Sequence, residues 1–219
     1  MTMIRQNFEQ ELEALRQDLV RMGQIVQSAI RNAVDALARQ DQALAQQIMD
    51  GDDIIDDMQV DIEDRCIALI ARQQPVAKDL RVLGTGLKIT TDLERIGDHA
   101  FDIAKIVQVI GKEPLIKPLV DIPRMSALAQ TMLDESLQAY LNLDIQLAEK
   151  VCRDDDVVDQ LYHQVFRELL TYMLADPSKI NQATQLIFVA RYLERIADHS
   201  TNVAEWVIYL VTGERLRKK

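Results

Sequence analysis

Apolar side chains recur at three- and four-residue intervals along most of this chain, the spacing that lines one face of a helix. From Ile4 to about Arg39 the series runs Phe8, Leu12, Leu15, Leu19, Met22, Val26, Ile30, Val34, Leu37, with Gly23 the one interruption. That predicts a first helix of about nine turns. Asp41 has the character of an N-cap for a second helix, which carries Leu44, Ile48, Ile55, Met58, Ile62 and Leu69 inward and ends near Gln74-Pro75. Gly51 falls inside it at a cost of about 1 kcal/mol against Ala, so a local bend is expected there. A third helix is predicted from about Val76 to Ile110, with Val82, Ile89, Leu93, Ile96, Ala100, Ile103 and Val107 on its packed face.

Three prolines then break the pattern between Gly111 and Pro123, a linker by its chemistry. Beyond it the first half is replayed. Arg124-Met125 answers Arg21-Met22, Asp144 answers Asp41, and Asp155-Asp156-Val157-Val158-Asp159 answers Asp52-Asp53-Ile54-Ile55-Asp56, all displaced by 103 residues. By the third helix the displacement is 100, so three residues are missing from the connection at Pro177 relative to the one at Pro75. The fold expected is all-α, a tandem duplication of a three-helix bundle with six long helices. Residues 1–112 form the first bundle, 113–123 the linker and 124–219 the second bundle.

Composition narrows the function. The chain has 219 residues, 48% of them hydrophobic, with 7 glycines and 5 prolines, as long helices require. A formal net charge of −10 argues against nucleic acid as a partner, since phosphate contacts need Lys and Arg. No charge-free run reaches the length of a membrane span, Met1–Glu9 lacks a signal-peptide core, and Cys66 and Cys152 have no motif spacing. A cytoplasmic protein is expected.

The chemistry lies in a stretch that occurs twice, Asp92-Leu-Glu-Arg-Ile-Gly-Asp-His99 and Tyr192-Leu-Glu-Arg-Ile-Ala-Asp-His199. Glu and Asp four apart stand one above the other on a helix. Leu93, Ile96, Ala100 and Ile103 face inward, which puts Glu94 and Asp98 well round the cylinder and Asp102 further in the same row. On the second helix Asp52 and Asp56 fall on the flank of the Ile55–Met58–Ile62 face, and both recur as Asp155 and Asp159. Counted from Pro75, Asp56 and Glu94 are each 19 residues away, and Asp52 and Asp98 each 23. On antiparallel neighbours the pairs sit at equal heights. Four carboxylates so placed repel unless a cation or protons intervene, and an all-oxygen set suits hard metal ions. The plainer reading is a solvated face with Arg95 and Arg195 as ion partners.

His99 and His199 lie about 140° round from Glu94 and Glu194; capping, packing or surface roles fit them, and neither makes the Glu-x-x-His set of di-iron bundles. His163 has no echo and reads as a surface residue. Trp206 and Phe101 suit helix packing, and the basic tail Arg215–Lys219 is a weak signal for an acidic partner or a membrane surface. Gly84-Thr-Gly86 lacks the setting of a phosphate loop, and no nucleophile stands out. An enzyme is not expected. The readings left open are a di-metal carboxylate enzyme in a helical bundle and a metal-free helical adaptor.

On the duplicated motif, the Asp52/Asp56 and Asp155/Asp159 pairs, Arg21-Met22-Gly23 and Arg72-Gln73-Gln74-Pro75, the chain resembles the PhoU family of phosphate-specific transport accessory proteins over nearly its full length. The resemblance implies a metal-binding negative regulator that couples a phosphate importer's ATPase subunit to a phosphate-sensor histidine kinase, a homodimer, cytoplasmic or held at the inner membrane through its partners. It implies iron, manganese, magnesium or zinc on Asp52, Asp56, Glu94 and Asp98 in one half and Asp155, Asp159, Glu194 and Asp198 in the other, with Asp102 and Asn202 beside them. Two departures bear on the equivalence of the sites: Ala197 replaces the motif glycine kept at Gly97, and Asp102 stands where Asn is frequent.

Overall fold

Long runs of amphipathic sequence with good caps condense into helices whose ends are set by Gly, Pro and Asp. The computed structural model describes residues 3–215 and shows α1 (Met3–Arg39), α2 (Gln42–Asp50), α3 (Asp53–Gln73), α4 (Lys78–Ile110), α5 (Asp121–Asn142), α6 (Ile145–Ala175) and α7 (Ile180–Thr212), with a 3-10 turn at Pro177–Lys179. Among the described residues there is no strand, and no helix is long and apolar enough to cross a membrane. Asp41 accepts a hydrogen bond from Leu44 N at 3.0 Å, and its echo Asp144 accepts one from Leu147 N at 3.1 Å. Each satisfies one of the donors that a helix start leaves unpaired.

Three boundaries differ from the sequence reading. The second helix is not bent but divided: Gly51 closes α2, its N–H given to Gln47 O at 3.1 Å, and α3 restarts at Asp53. In the second half Asp154 takes the place of Gly51 and α6 runs through unbroken. The third helix starts at Lys78 rather than Val76, after Gln74 and Ala77 turn the chain through positive φ. The second unit's first helix starts at Asp121, so Pro123 sits in its first turn, where a missing N–H costs nothing.

Within each half the helices pack as a bundle, α1, α3 and α4 in the first, α5, α6 and α7 in the second, with α2 laid on α1 and α4. The halves also pack on each other through α4 against α7 and α1 against α5, so one continuous apolar core runs across both. Arg16 donates to the carbonyls of Tyr140 and Leu141 at 3.3 and 3.1 Å, and Gln27 to Gln130 O at 3.3 Å. Leu93, Ile96 and Ile103 on α4 and Leu193, Ile196 and Val203 on α7 are wholly buried. Each contributes about 1.5–3 kcal/mol of burial. This face holds the two motifs rigidly side by side.

The closest approach beside the first motif is at Gly97. A Cβ there would lie 3.0 Å from Ile55 Cδ1 and 3.3 Å from its Cγ2. In the second half the counterparts are Val158 and Ala197, both fully buried: the side chain on one helix loses a carbon where the other gains one. The volumes compensate. Gly97→Ala is therefore expected to lower stability by about 1 kcal/mol, overpacking outweighing the gain in helix propensity. Ile55→Val in the same chain should recover it, making the double variant more stable than the sum of the singles in urea denaturation. Strict additivity would show that the two sites do not share this space.

Candidate functional site

Asp52 and Asp56 come from the broken start of α3, Glu94 and Asp98 from the middle of α4. Asp52 occupies the N-cap position of α3 but makes no capping hydrogen bond, so its carboxylate is turned elsewhere. A Cβ on Gly97 would be 3.8 Å from Asp52 Oδ1, which places that oxygen over α4 beside Asp98. The charges act on one another. Asp52 is pushed up to about 6, first by burial and then by Asp56, Asp98, Asp53 and Asp102. Glu94 is raised by burial, then Asp98, with Asp56 and Asp52 adding to it and Arg95 opposing. Asp56 is exposed, nearer the water than its flank position suggested.

The second cluster is deeper. Glu194 is 8% exposed and is pushed up to about 7, by burial first, then by Asp198 against the pull of Arg191, then by Asp159 and Asp155. All eight sequence-selected carboxylates therefore fall in two groups, each spanning two adjacent helices. Their supporting arginines are not equivalent. Arg95 reaches Glu94 at 3.4 Å and Asp98 at 3.2 Å, as anticipated, but in the second half Arg191 and not Arg195 holds Glu194. Arg191 stands three residues before Glu194, where the first half has Thr91, so a check of i,i+3 partners would have found it.

Where α4 crosses α7 the two motifs touch. His99 is 5% exposed and stacks on Tyr192 with ring centroids 5.5 Å apart, with His199 at 5.7 Å. Burial first, then Arg195, pulls its imidazole down to about 4, so it is neutral. His199 Nδ1 lies 2.9 Å from Asp92 Oδ1, and Asn202 Nδ2 donates to the same oxygen at 3.1 Å. Asn202 is thus engaged across the seam, while Asp102 faces Lys105 at 3.7 Å. Asp92 was not singled out from sequence. Its signal is that it is the motif position where the halves differ in kind, Asp against Tyr.

His163 is exposed and Trp206 partly buried, packed edge-on against Tyr209. Of the basic tail, Arg215 lies over Trp206; residues 216–219 are outside the described part. Cys66 is buried, its thiol pushed up to about 11, which makes it unreactive.

The donor set suits a hard cation. One buried oxygen of Glu194 has no hydrogen-bond partner, and the corresponding oxygen of Glu94 has only the Arg95 guanidinium at 3.4 Å; the raised carboxyl pKa values record burial first and repulsion second, and a positive charge would relieve both. Among the described residues no three His, Cys, Asp or Glu side chains are gathered closely enough to hold an ion as they stand. The carboxylates share a region, and several are turned to arginine instead.

The raised carboxyls have a sign in stability. Glu194 keeps its proton from 4.5 up to about 7 in the folded chain, so folding binds a proton in that window and stability falls as pH rises through it. His99 acts oppositely: the unfolded chain takes a proton between 6.5 and about 4 that the folded chain refuses, so its contribution is lost on acidification. Glu194→Gln isolates the first effect. Its stability relative to the parent, measured by urea denaturation in chelator, should increase steadily from pH 4.5 to 7; a difference independent of pH would show that Glu194 titrates as an ordinary glutamate.

Comparison with known proteins agrees with the duplicated helical fold. The PhoU domain family matches residues 19–107 and again 122–207. A Clostridium acetobutylicum protein described as a phosphate-specific transport system accessory protein PhoU homolog is 47% identical over 98% of both chains, and one from Aquifex aeolicus is 48% identical over 93% of this chain and 92% of its own. The crystal structure of PhoU from Pseudomonas aeruginosa superposes with a TM-score of 0.91 at 40% identity, over 94% of this chain and 100% of that one. The phosphate transport system regulatory protein PhoU from Streptococcus pneumoniae gives 0.89 at 32% identity, over 96% and 100%. With two domain matches, one per half, and relatives aligned from end to end, this chain belongs to the PhoU family.

Proposed function

We propose that this protein is a non-catalytic, metal-binding regulator of phosphate uptake and phosphate-starvation signalling. It acts as a negative regulator, coupling the ATPase subunit of a phosphate ABC importer to a sensor histidine kinase. The observation that carries the reading is the pair of carboxylate clusters, one per copy of the domain, each bridging two helices. The relatives' description as accessory proteins of a phosphate-specific transport system supplies the setting.

Asp52, Asp56, Glu94 and Asp98 would hold ions in the first half, and Asp155, Asp159, Glu194 and Asp198 in the second. Bound there, a divalent or trivalent ion of iron, manganese, magnesium or zinc supplies the positive charge that lets these carboxyls ionise side by side. The protein's own part is to set α3 against α4 and α6 against α7 at matching heights. Docking is assigned to the helical surfaces. Phe166, Leu170 and Leu174 on α6 with Ile180 and Phe188 on α7 are exposed apolar residues, a face suited to covering by a second copy in a homodimer. The site of action is the cytoplasm, at the inner membrane through the partners.

Elemental analysis of the purified protein should find metal that the Glu94→Ala/Glu194→Ala variant loses, and deleting the gene should release phosphate-responsive genes at high phosphate. Metal retained by the variant would remove the ligand assignment, and unchanged gene expression and phosphate uptake would remove the regulatory one.

A further inference from the structure

The corner where the start of α4 meets the end of α7 contains chemistry that neither acid cluster uses, about 20 Å along α4 from Glu94. A cavity of about 390 Å³ opens there between α1, α4, α7 and the turn after α5. Leu12, Val82, Leu143, Leu210 and Val211 give it aliphatic walls, Arg16, Lys78 and Arg81 reach it with positive charge, and Glu9 and Glu13 complete its lining. Arg81 has no visible task. Its Nε is buried without a hydrogen-bond partner, and among the described residues its guanidinium makes no ion pair. A buried donor on a charged group left unpaired needs an explanation. The guanidinium is braced against the end of α7, where a Cβ on Gly213 would lie 3.0 Å from its Nη1. The other charges are engaged. Arg16 donates to the carbonyls of Tyr140 and Leu141, Glu9 is held by Arg5 at 3.0 Å, and Glu13 accepts from Gln17 at 2.8 Å and lies 3.8 Å from Arg16. Arg81, with the exposed Lys78 beside it, leaves positive charge uncompensated at one end of an aliphatic wall.

The duplication supplies a filled version of the same corner. Where α7 starts and α4 ends, Gln182 stands in the place of Val82 and Gln40 in the place of Leu143, at the displacements of 100 and 103 residues that relate the halves. There the linker occupies the corner. Gln182 accepts a hydrogen bond from Ile116 N at 2.6 Å and donates to Pro114 O at 3.1 Å, while Gln40 donates to the carbonyls of Gly111 and Glu113. Such side chains are what a peptide requires, because its amide groups must be paired when buried. Val82 and Leu143 offer no such partner. Leu143 is also a costly choice: its φ is 54°, a left-handed conformation that Gly or Asn adopts more cheaply, and it is 38% exposed. Gln40 shares that conformation at φ 53° but uses its amide. The side chain of Leu143 serves the wall of the cavity and not the turn. This corner is therefore unsuited to a peptide segment and suited to an aliphatic body.

We propose that this cavity binds an organic anion with an aliphatic body, its carboxylate or phosphate head on Arg81 and Lys78 and its carbons between Val82, Leu143, Leu210 and Val211. The planar guanidinium, with its Nε–H unused, pairs with either head through parallel hydrogen bonds, and Lys78 adds a point charge at the mouth. No aromatic ring lines the cavity, so a nucleobase finds nothing to stack on. The volume is that of a small-molecule site. The inference goes beyond the phosphate-regulatory reading, and none of the eight carboxylates assigned to metal lines this cavity.

Calorimetric titration of the full chain in chelator tests it, with octanoate, octyl phosphate, acetate and octylamine at constant ionic strength. Both octyl anions should bind, acetate about tenfold weaker or more for want of buried methylenes, and octylamine not at all. Arg81→Gln should weaken octanoate about tenfold, the effect of losing a charge-assisted hydrogen bond. Leu143→Asn, which keeps a residue at home in the left-handed turn, should weaken it about as much, with circular dichroism checking the fold of both variants. Failure of both octyl anions to bind at millimolar concentration, octylamine binding as tightly as octanoate, or parent-like affinity of either variant would each overturn the site. The Glu94→Ala/Glu194→Ala variant should bind octanoate like the parent; loss of binding there would move the anion to the carboxylate clusters and overturn it too. Flotation with phosphatidylglycerol vesicles identifies the source: co-flotation that Arg81→Gln abolishes assigns the head to a membrane lipid, and octanoate binding without flotation assigns a free molecule.

Discussion

Carboxylates facing one another across two antiparallel helices, twice over, are the constraint around which this molecule is arranged. Glu94 and Glu194 lie on helices whose opposite faces are wholly buried, so they cannot swing away from Asp52 and Asp56, or from Asp155 and Asp159, without disturbing the core. Burial and like charge therefore act together, raising the carboxyl pKa values of Asp52, Glu94 and Glu194. The relief available is protonation, an arginine, or a cation. Arg95 and Arg191 supply part of it from the outside of each cluster.

The duplication is not a strict copy, and its departures are paired. Gly97 gives way to Ala197 as Ile55 gives way to Val158, so the volume gained on one helix is lost on its neighbour. The break at Gly51 frees Asp52 from a continuous helix, whereas Asp155 stays within α6. The first cluster thus sits at a helix start, where the backbone dipole favours negative charge, and the second is more deeply buried. Two sites built from one pattern consequently differ in electrostatics. The seam departs furthest: Asp92 faces Tyr192 in the alignment of the halves, and each now serves the histidine of the other motif.

By itself the sequence determined the helical class, the two copies, the caps at Asp41 and Asp144, and the eight carboxylates with their equal heights. These are matters of period and spacing along a single helix or across one short turn, and a 3.6-residue repeat carries them in one dimension. It did not determine the division at Gly51, because a glycine in a helix can bend, break or simply be tolerated. Pro123 likewise reads as a breaker until its place in the first turn of α5 is known. Which residue holds His199, and the burial of His99 against Tyr192, were decided only by the packing of α4 on α7. Those contacts join residues about a hundred positions apart, through an interface whose crossing no local period encodes.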